Sequence, residues 1–160
     1  MDIGVDQRLQ PQRYRRTNMD AVTIGKRGDG MNTFHNPPTV AQPASSYSQA
    51  VEVPANARWL HISGQIGVAP DGTPREGVEA QADQCWANIR NILTAAGMDV
   101  ADIVKITTFI TNQGHVGVTR TAREKALGGH RPASSLVVVA ALASPAWLIE
   151  IEAVAAKASK

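Results

Sequence analysis

The chain has 160 residues, one domain's worth, with 43% apolar and 19% charged side chains, ordinary values for a soluble globular protein. Its longest apolar run, residues 136–143, is eight residues long, far short of the roughly 20 that cross a bilayer, and the single cysteine, Cys85, excludes a disulfide scaffold or a cysteine-based zinc site. Lys and Arg exceed Asp and Glu by only 16 to 14, and residues 1–30 hold six of the basic and four of the acidic side chains, leaving ten of each sign in residues 31–160; a body this neutral offers a phosphate backbone no basic face.

These numbers point to a protein of a reducing, cytoplasmic compartment with no membrane and no nucleic-acid partner. Residues 1–30 have few large apolar side chains and no sustained period, and they carry the run Arg13-Tyr14-Arg15-Arg16. No apolar stretch comes after those cations, so the segment is not a secretory signal. It reads as a disordered tail, or as an upstream start with the working start at Met31. The predicted domain is residues 31–160.

Past Pro37-Pro38, the alternating run 47–53 (Tyr-Ser-Gln-Ala-Val-Glu-Val) predicts a strand, and residues 58–62 (Arg-Trp-Leu-His-Ile) its hairpin partner after a Pro54-Ala-Asn-Ala turn. Ser63-Gly64-Gln65 leads into a Gly/Pro-rich loop. The period then changes: Val78, Ala82, Cys85, Trp86, Ile89, Ile92, Leu93 and Ala96 advance in steps of three and four, the apolar face of a helix that Gly97 ends. Residues 102–111 are β-branched and strand-like. A weaker helix is expected over 116–127, closed by Gly128-Gly129, and two strands, 134–142 and 148–156, finish the domain. The order β-β-α-β-α-β-β predicts an α+β fold, one sheet with two helices on one face.

The strand 134–142 has apolar side chains on both faces, as strands covered on both sides do. Two helices cover only one face of such a sheet, and no element is left for the other. An apolar face of that size is rare on a monomer, so a homo-oligomer that buries sheet faces is expected.

With the elements placed, the sequence resembles the RidA/YjgF family of reactive-intermediate (imine) deaminases. The resemblance is carried by Asn36-Pro-Pro-Thr, Tyr47-Ser-Gln-Ala, Ile62-Ser-Gly-Gln-Ile, Gln81-Ala-Asp-Gln-Cys-Trp-Ala-Asn-Ile, Asp102-Ile-Val-Lys, Arg131-Pro-Ala and Ile149-Glu-Ile-Glu-Ala, in that order over about residues 36–157. It implies a chorismate-mutase-like fold and a homotrimer with ligand clefts between subunits. It also implies hydrolysis of enamines and imines to carbonyl compounds and ammonia, with no metal and no organic cofactor.

Imine hydrolysis needs a water attacking carbon and a group to orient or deprotonate it. Glu150 and Glu152 fall on one face of the last strand, Ile149, Ile151 and Ala153 on the other. Glu150 matches the family's water-positioning glutamate, although both glutamates could instead pair with Lys or Arg across an interface. Tyr47 matches the family's cleft tyrosine, and Gly64 a loop whose backbone lines the cleft.

One departure decides the expected substrate. Family deaminases place a carboxylate-binding arginine directly after Pro-Ala, and here that position is Ser134; Leu136 stands where those enzymes often have cysteine. Losing both charge-assisted hydrogen bonds of such an arginine is worth roughly 10²–10⁴-fold in binding. Arg131, before the proline, points to the other face of an extended chain. The arginine-less pattern favours neutral or less charged imines, or a related C–N compound, over simple anionic ones. It also fits a different class, a non-catalytic trimer that binds a small metabolite through Tyr47, Gly64, Ser134 and Leu136. Ribonuclease and translation-inhibitor roles have been attached to the family, but the neutral body speaks against nucleic acid. Cys85 is expected to be buried and structural, His61 a strand-surface residue, and His35, His61, His115 and His130 have no metal-ligand spacing.

Overall fold

The computed structural model describes residues 31–158, so the tail expected over residues 1–30 lies outside the described residues. The elements run β1 (Thr33–His35), β2 (Ala50–Glu52), β3 (Ala57–Ile66), α1 (Gly77–Ala95), β4 (Ile103–Ile110), α2 (Val116–Leu127), β5 (Ala133–Val138) and β6 (Ile149–Ala158), with one short 3₁₀ turn before β4 and another before α2. Four strands form a mixed sheet in the order β3-β6-β4-β5. In it β6 runs antiparallel to β3 and β4, and β5 runs parallel to β4. This is the expected α+β architecture, and both helices and β4 fall within about two residues of their predicted bounds.

Three expectations are corrected. The segment 47–53 does not form a hairpin with 58–62: β2 pairs antiparallel with β1, a strand the sequence had not indicated, in a separate two-stranded sheet. The reason is ladder length. β3 and β6 are ten residues each and satisfy one another along most of their length, which a three-residue β2 cannot match. The principal sheet therefore has four strands rather than five. The strand expected over 134–142 stops at Val138 because its partner β4 stops at Ile110, opposite Val138, and Val139 N–H makes the last bond, to Ile110 C=O at 2.9 Å.

The core lies between the sheet and the helices. From α1 it takes Ala82, Cys85, Trp86, Ile89 and Leu93; from β4 Ile103, Ile106 and Ile110; from β6 Ile149, Ile151, Ala153 and Ala155; α2 closes it with Ala122, Ala126 and Leu127. Each large side chain so buried contributes about 1.5–3 kcal/mol. Alternation along β6 then turns Glu150 and Glu152 to the opposite face, as expected.

Two polar side chains of α1 fix the helix on the sheet. Buried Gln81 donates to Arg75 C=O (3.0 Å) and Ala146 C=O (2.8 Å), and its Oε1 accepts from Leu148 N–H (2.8 Å). Asn88 donates to Ile66 C=O (3.3 Å) and Val68 C=O (3.1 Å), at the end of β3. The approach is close enough that a Cβ on Gly67 would lie 2.5 Å from Gln81 Cα. No described helix is long and apolar enough to cross a membrane.

Gln81→Met keeps the volume and takes the partner from two carbonyls and one N–H in a partly buried setting. It is expected to cost about 2–4 kcal/mol, read as a lower urea midpoint at unchanged slope. Cys85 is fully buried, and burial pushes its thiol up to about 12. A thiol reagent at neutral pH is expected to leave the native protein unmodified and to label it completely in urea.

Candidate active site

A register shift between Ile62 and Gln65 breaks the regular β3–β6 ladder, and the bulge holds Ser63 and Gly64. Gly64 there faces the Glu150 side chain so closely that a Cβ would lie 2.6 Å from Glu150 Cδ. Only glycine lets the carboxyl occupy that space. Glu150 is half-buried, and its carboxylate takes no hydrogen bond or ion pair among the described residues. Gln81 grips Leu148, two residues before it, so the register of β6 is set where Glu150 emerges. Gly64 and Glu150, two of the expected site residues, are thus brought together.

Glu150 belongs to the sheet face that neither helix covers. A cavity of about 250 Å³ on that face is lined by His61, Ser63, Lys105, Thr107, Glu152 and Val154, among others. Lys105 Nζ lies 2.6 Å from Ser135 Oγ, and burial holds the lysine below its ordinary range. His61 is exposed and stacks on Trp59 with centroids 6.4 Å apart, the surface role expected of it. Trp59 and Val137 on this face are 51% and 43% exposed.

The other expected residues gather elsewhere. Ser48 N–H bonds to Pro132 C=O (3.1 Å), and Ser48 bridges Ala133, so the segment carrying Tyr47 runs along the outer edge of β5. Ser134 pairs with Ile106, whose side chain is buried under the helices, and so faces that side of the sheet. Leu136 faces the same side and packs against the core. Ser134 and Glu150 are two strands and three positions apart on opposite faces, about 14 Å at ~4.8 Å per strand and ~3.3 Å per residue. Within one copy of the chain, then, Gly64 with Glu150 and Tyr47 with Ser134 form separate halves.

Sequence reasoning missed Arg123. This α2 residue is 6% exposed and directs its guanidinium at Ser134, with Nη1 donating to Ser134 Oγ and Nη2 to Ser45 Oγ, each at 3.2 Å. Burial lowers its pKa from the ordinary value, with the neighbouring Glu124 carboxylate opposing that shift and Arg120 adding to it. The signal was present: Thr119, Ala122, Arg123, Ala126 and Leu127 form the buried stripe of α2, and the arginine sits within it. Arg131, by contrast, lines a cavity of about 110 Å³ with Ser46, Glu124, Leu127, Gly129 and His130. Among the described residues no group of three or more His, Cys, Asp or Glu gathers to hold a metal.

Comparison with known proteins bears on the same stretch of chain. The family model described as Endoribonuclease L-PSP matches residues 38–157. Protein HMF1 of Saccharomyces cerevisiae is 36% identical over 116 residues, 71% of this chain and 86% of that protein. A 2-iminobutanoate/2-iminopropanoate deaminase of Salmonella typhimurium is 40% identical over 115 residues, 69% and 87% of the two chains. The crystal structure of the Rid-family protein YyfB from Yersinia pestis superposes with a TM-score of 0.71 at 34% identity, covering 78% of this chain and 97% of that one. A match over most of the α+β domain by sequence and by structure places the chain in the RidA/YjgF family, the family of the Endoribonuclease L-PSP model.

Proposed function

We propose that this protein is a cofactor-free imine or enamine deaminase in which Glu150 handles the water. The observation that carries the reading is the Glu150 carboxylate itself. It stands on a rigid strand, against a glycine that makes room for it, with its oxygens unclaimed by any described donor. The deaminase of Salmonella typhimurium at 40% identity supports the same chemistry.

The steps balance without a cofactor. One Glu150 oxygen accepts a hydrogen bond from water, and the water oxygen bonds to the imine carbon as its proton passes to the carboxylate. The C=N π pair moves to nitrogen, which also takes a proton from solvent, giving a carbinolamine. Return of the proton from Glu150 makes that nitrogen an ammonium leaving group; as the C–N bond breaks and ammonia leaves, the hydroxyl oxygen forms the carbonyl and its proton passes to the freed Glu150 carboxylate and back to solvent. An enamine enters the same sequence after protonation at its carbon.

A second copy supplies what one copy lacks. Glu150 and Ser134 lie on opposite faces of the sheet, and Val137 is exposed on the uncovered one. Packing of that face against a neighbour would bring one copy's Glu150 half towards another's Ser134 half and bury Val137. A homotrimer with clefts between subunits, as the family resemblance implies, has this property.

Ammonia and carbonyl release are measured with imines generated in situ by an amine oxidase and an amino-acid oxidase. Wild type is expected to accelerate hydrolysis, and Glu150→Gln to lose about 10²–10⁴-fold at unchanged oligomer mass by sedimentation. No acceleration of either imine class overturns the reading and leaves a metabolite-binding oligomer. Gly64→Ala pushes only the flexible end of Glu150, so it is expected to keep the fold and the melting temperature while turnover falls at least about tenfold, as misplacement of a catalytic group predicts.

A further inference from the structure

Arg123 is a buried cation that makes no ion pair among the described residues and is offset only at a distance by the exposed Glu124 carboxylate. It is 6% exposed, and its two hydrogen-bond acceptors, Ser45 Oγ and Ser134 Oγ, are neutral. Its Nε is buried with no partner. Among the described residues no carboxylate makes an ion pair with it; Glu124, its neighbour in α2, is exposed. Removing a guanidinium from water is costly, and buried cations are kept where an anion meets them. Two serines orient the group and leave its charge intact.

The unused donors have a definite shape. Of the five N–H groups of an arginine, two are directed at the serines, leaving Nε–H and the second hydrogens of the terminal nitrogens. Nε–H with an adjacent Nη–H is the edge that grips a carboxylate bidentately. A serine hydroxyl that accepts from the arginine still has its own proton to give to the same anion. Ser46 and Glu124, the chain neighbours of Ser45 and Arg123, line a cavity of about 110 Å³ with Arg131 and His130.

We propose that Arg123 is the anion anchor of the ligand site, a guanidinium delivered from α2 to Ser45 and Ser134 that takes the carboxylate of a small organic acid. The inference rests on the deaminase reading for the identity of the site and deepens it by naming the substrate class. It reverses the expectation of a neutral ligand drawn from Ser134. The cation missing from the strand is supplied from the helix behind it.

The test is equilibrium binding to the full chain by calorimetry, comparing 2-oxobutanoate with its neutral isostere 2-oxobutanamide. Wild type is expected to prefer the carboxylate at least about tenfold. Arg123→Gln is expected to weaken the carboxylate about 10–100-fold and to leave the amide unchanged, the worth of a charge-assisted pair. If Arg123→Gln does not fold, Arg123→Lys is read instead: it keeps the charge, loses the planar fork, and is expected to lose about tenfold for the carboxylate alone. Equal affinities in wild type, no binding of 2-oxobutanoate, or a preference unchanged in the variants overturns the proposal. So does an Arg123→Gln protein that dissociates while keeping its preference, because the missing anion is then a carboxylate of a neighbouring copy. Binding is read without turnover, so a failure of Glu150→Gln to lose activity would count against the deaminase reading and not against Arg123.

Discussion

Everything that positions Glu150 depends on the grip of one buried amide. Gln81 reaches from the first turns of α1 to carbonyls at Arg75 and Ala146 and to the N–H of Leu148. Its three bonds join the loop after β3, the helix, and the loop that enters β6. A buried amide whose two N–H groups and oxygen are all used in this way specifies one arrangement, because any slip leaves the buried Gln81 amide itself without partners. Asn88, two turns along the same helix, repeats the device on the carbonyls of Ile66 and Val68. Between these two anchors β3 is free to bulge at Ser63 and Gly64, and the bulge makes the space that the Glu150 carboxyl fills.

The sheet is unequal on its two sides, and the inequality has chemical consequences. On the helix side it is dry, with Ile103, Ile106, Ile110, Ile149 and Ile151 all but inaccessible. The other side carries Glu150, Glu152, Lys105, Thr107, His61 and Ser135 among Trp59, Val137 and Val154. Neither purely polar nor purely apolar, such a face suits contact with another surface that also encloses a small polar ligand. Lys105 and Ser135 already satisfy one another there at 2.6 Å. Covering this face would therefore strand fewer polar groups than its composition suggests.

The sequence showed most where burial follows a simple period. α2 over 116–127, α1 and β4 are read from their apolar spacing, and Glu150 and Glu152 share a face because alternation leaves no other arrangement. Pairing was less legible. The partners of β3 and β2 are chosen by ladder length across the whole chain, so a nearby turn such as 54–57 misleads. Tyr47, Gly64, Ser134 and Leu136 came into view through family resemblance, which gives positions and not contacts. Leu136, expected in the pocket, is partly buried against the core on the same side of the sheet as Ser134. The bulge that gives Gly64 its purpose is a three-dimensional event with no sequence signature beyond Ser63-Gly64-Gln65.

Arg123 marks the limit of reading by position. Family resemblance points to the residue directly after Pro132-Ala133, finds Ser134, and leads to the expectation of no cation there. Electrostatics asks where a guanidinium can be held, and a long flexible side chain from another element answers as well as one on the strand. The helix provides it within a stripe whose Ala122, Ala126 and Leu127 are buried, a setting that strengthens any ionic contact made there. Serine at 134 then acts as a seat for the arginine: a larger residue there would occupy the place where Nη1 lies 3.2 Å from the hydroxyl. Seat and cation belong together, and the Ser134–Arg123 pair is the unit in which the guanidinium is held.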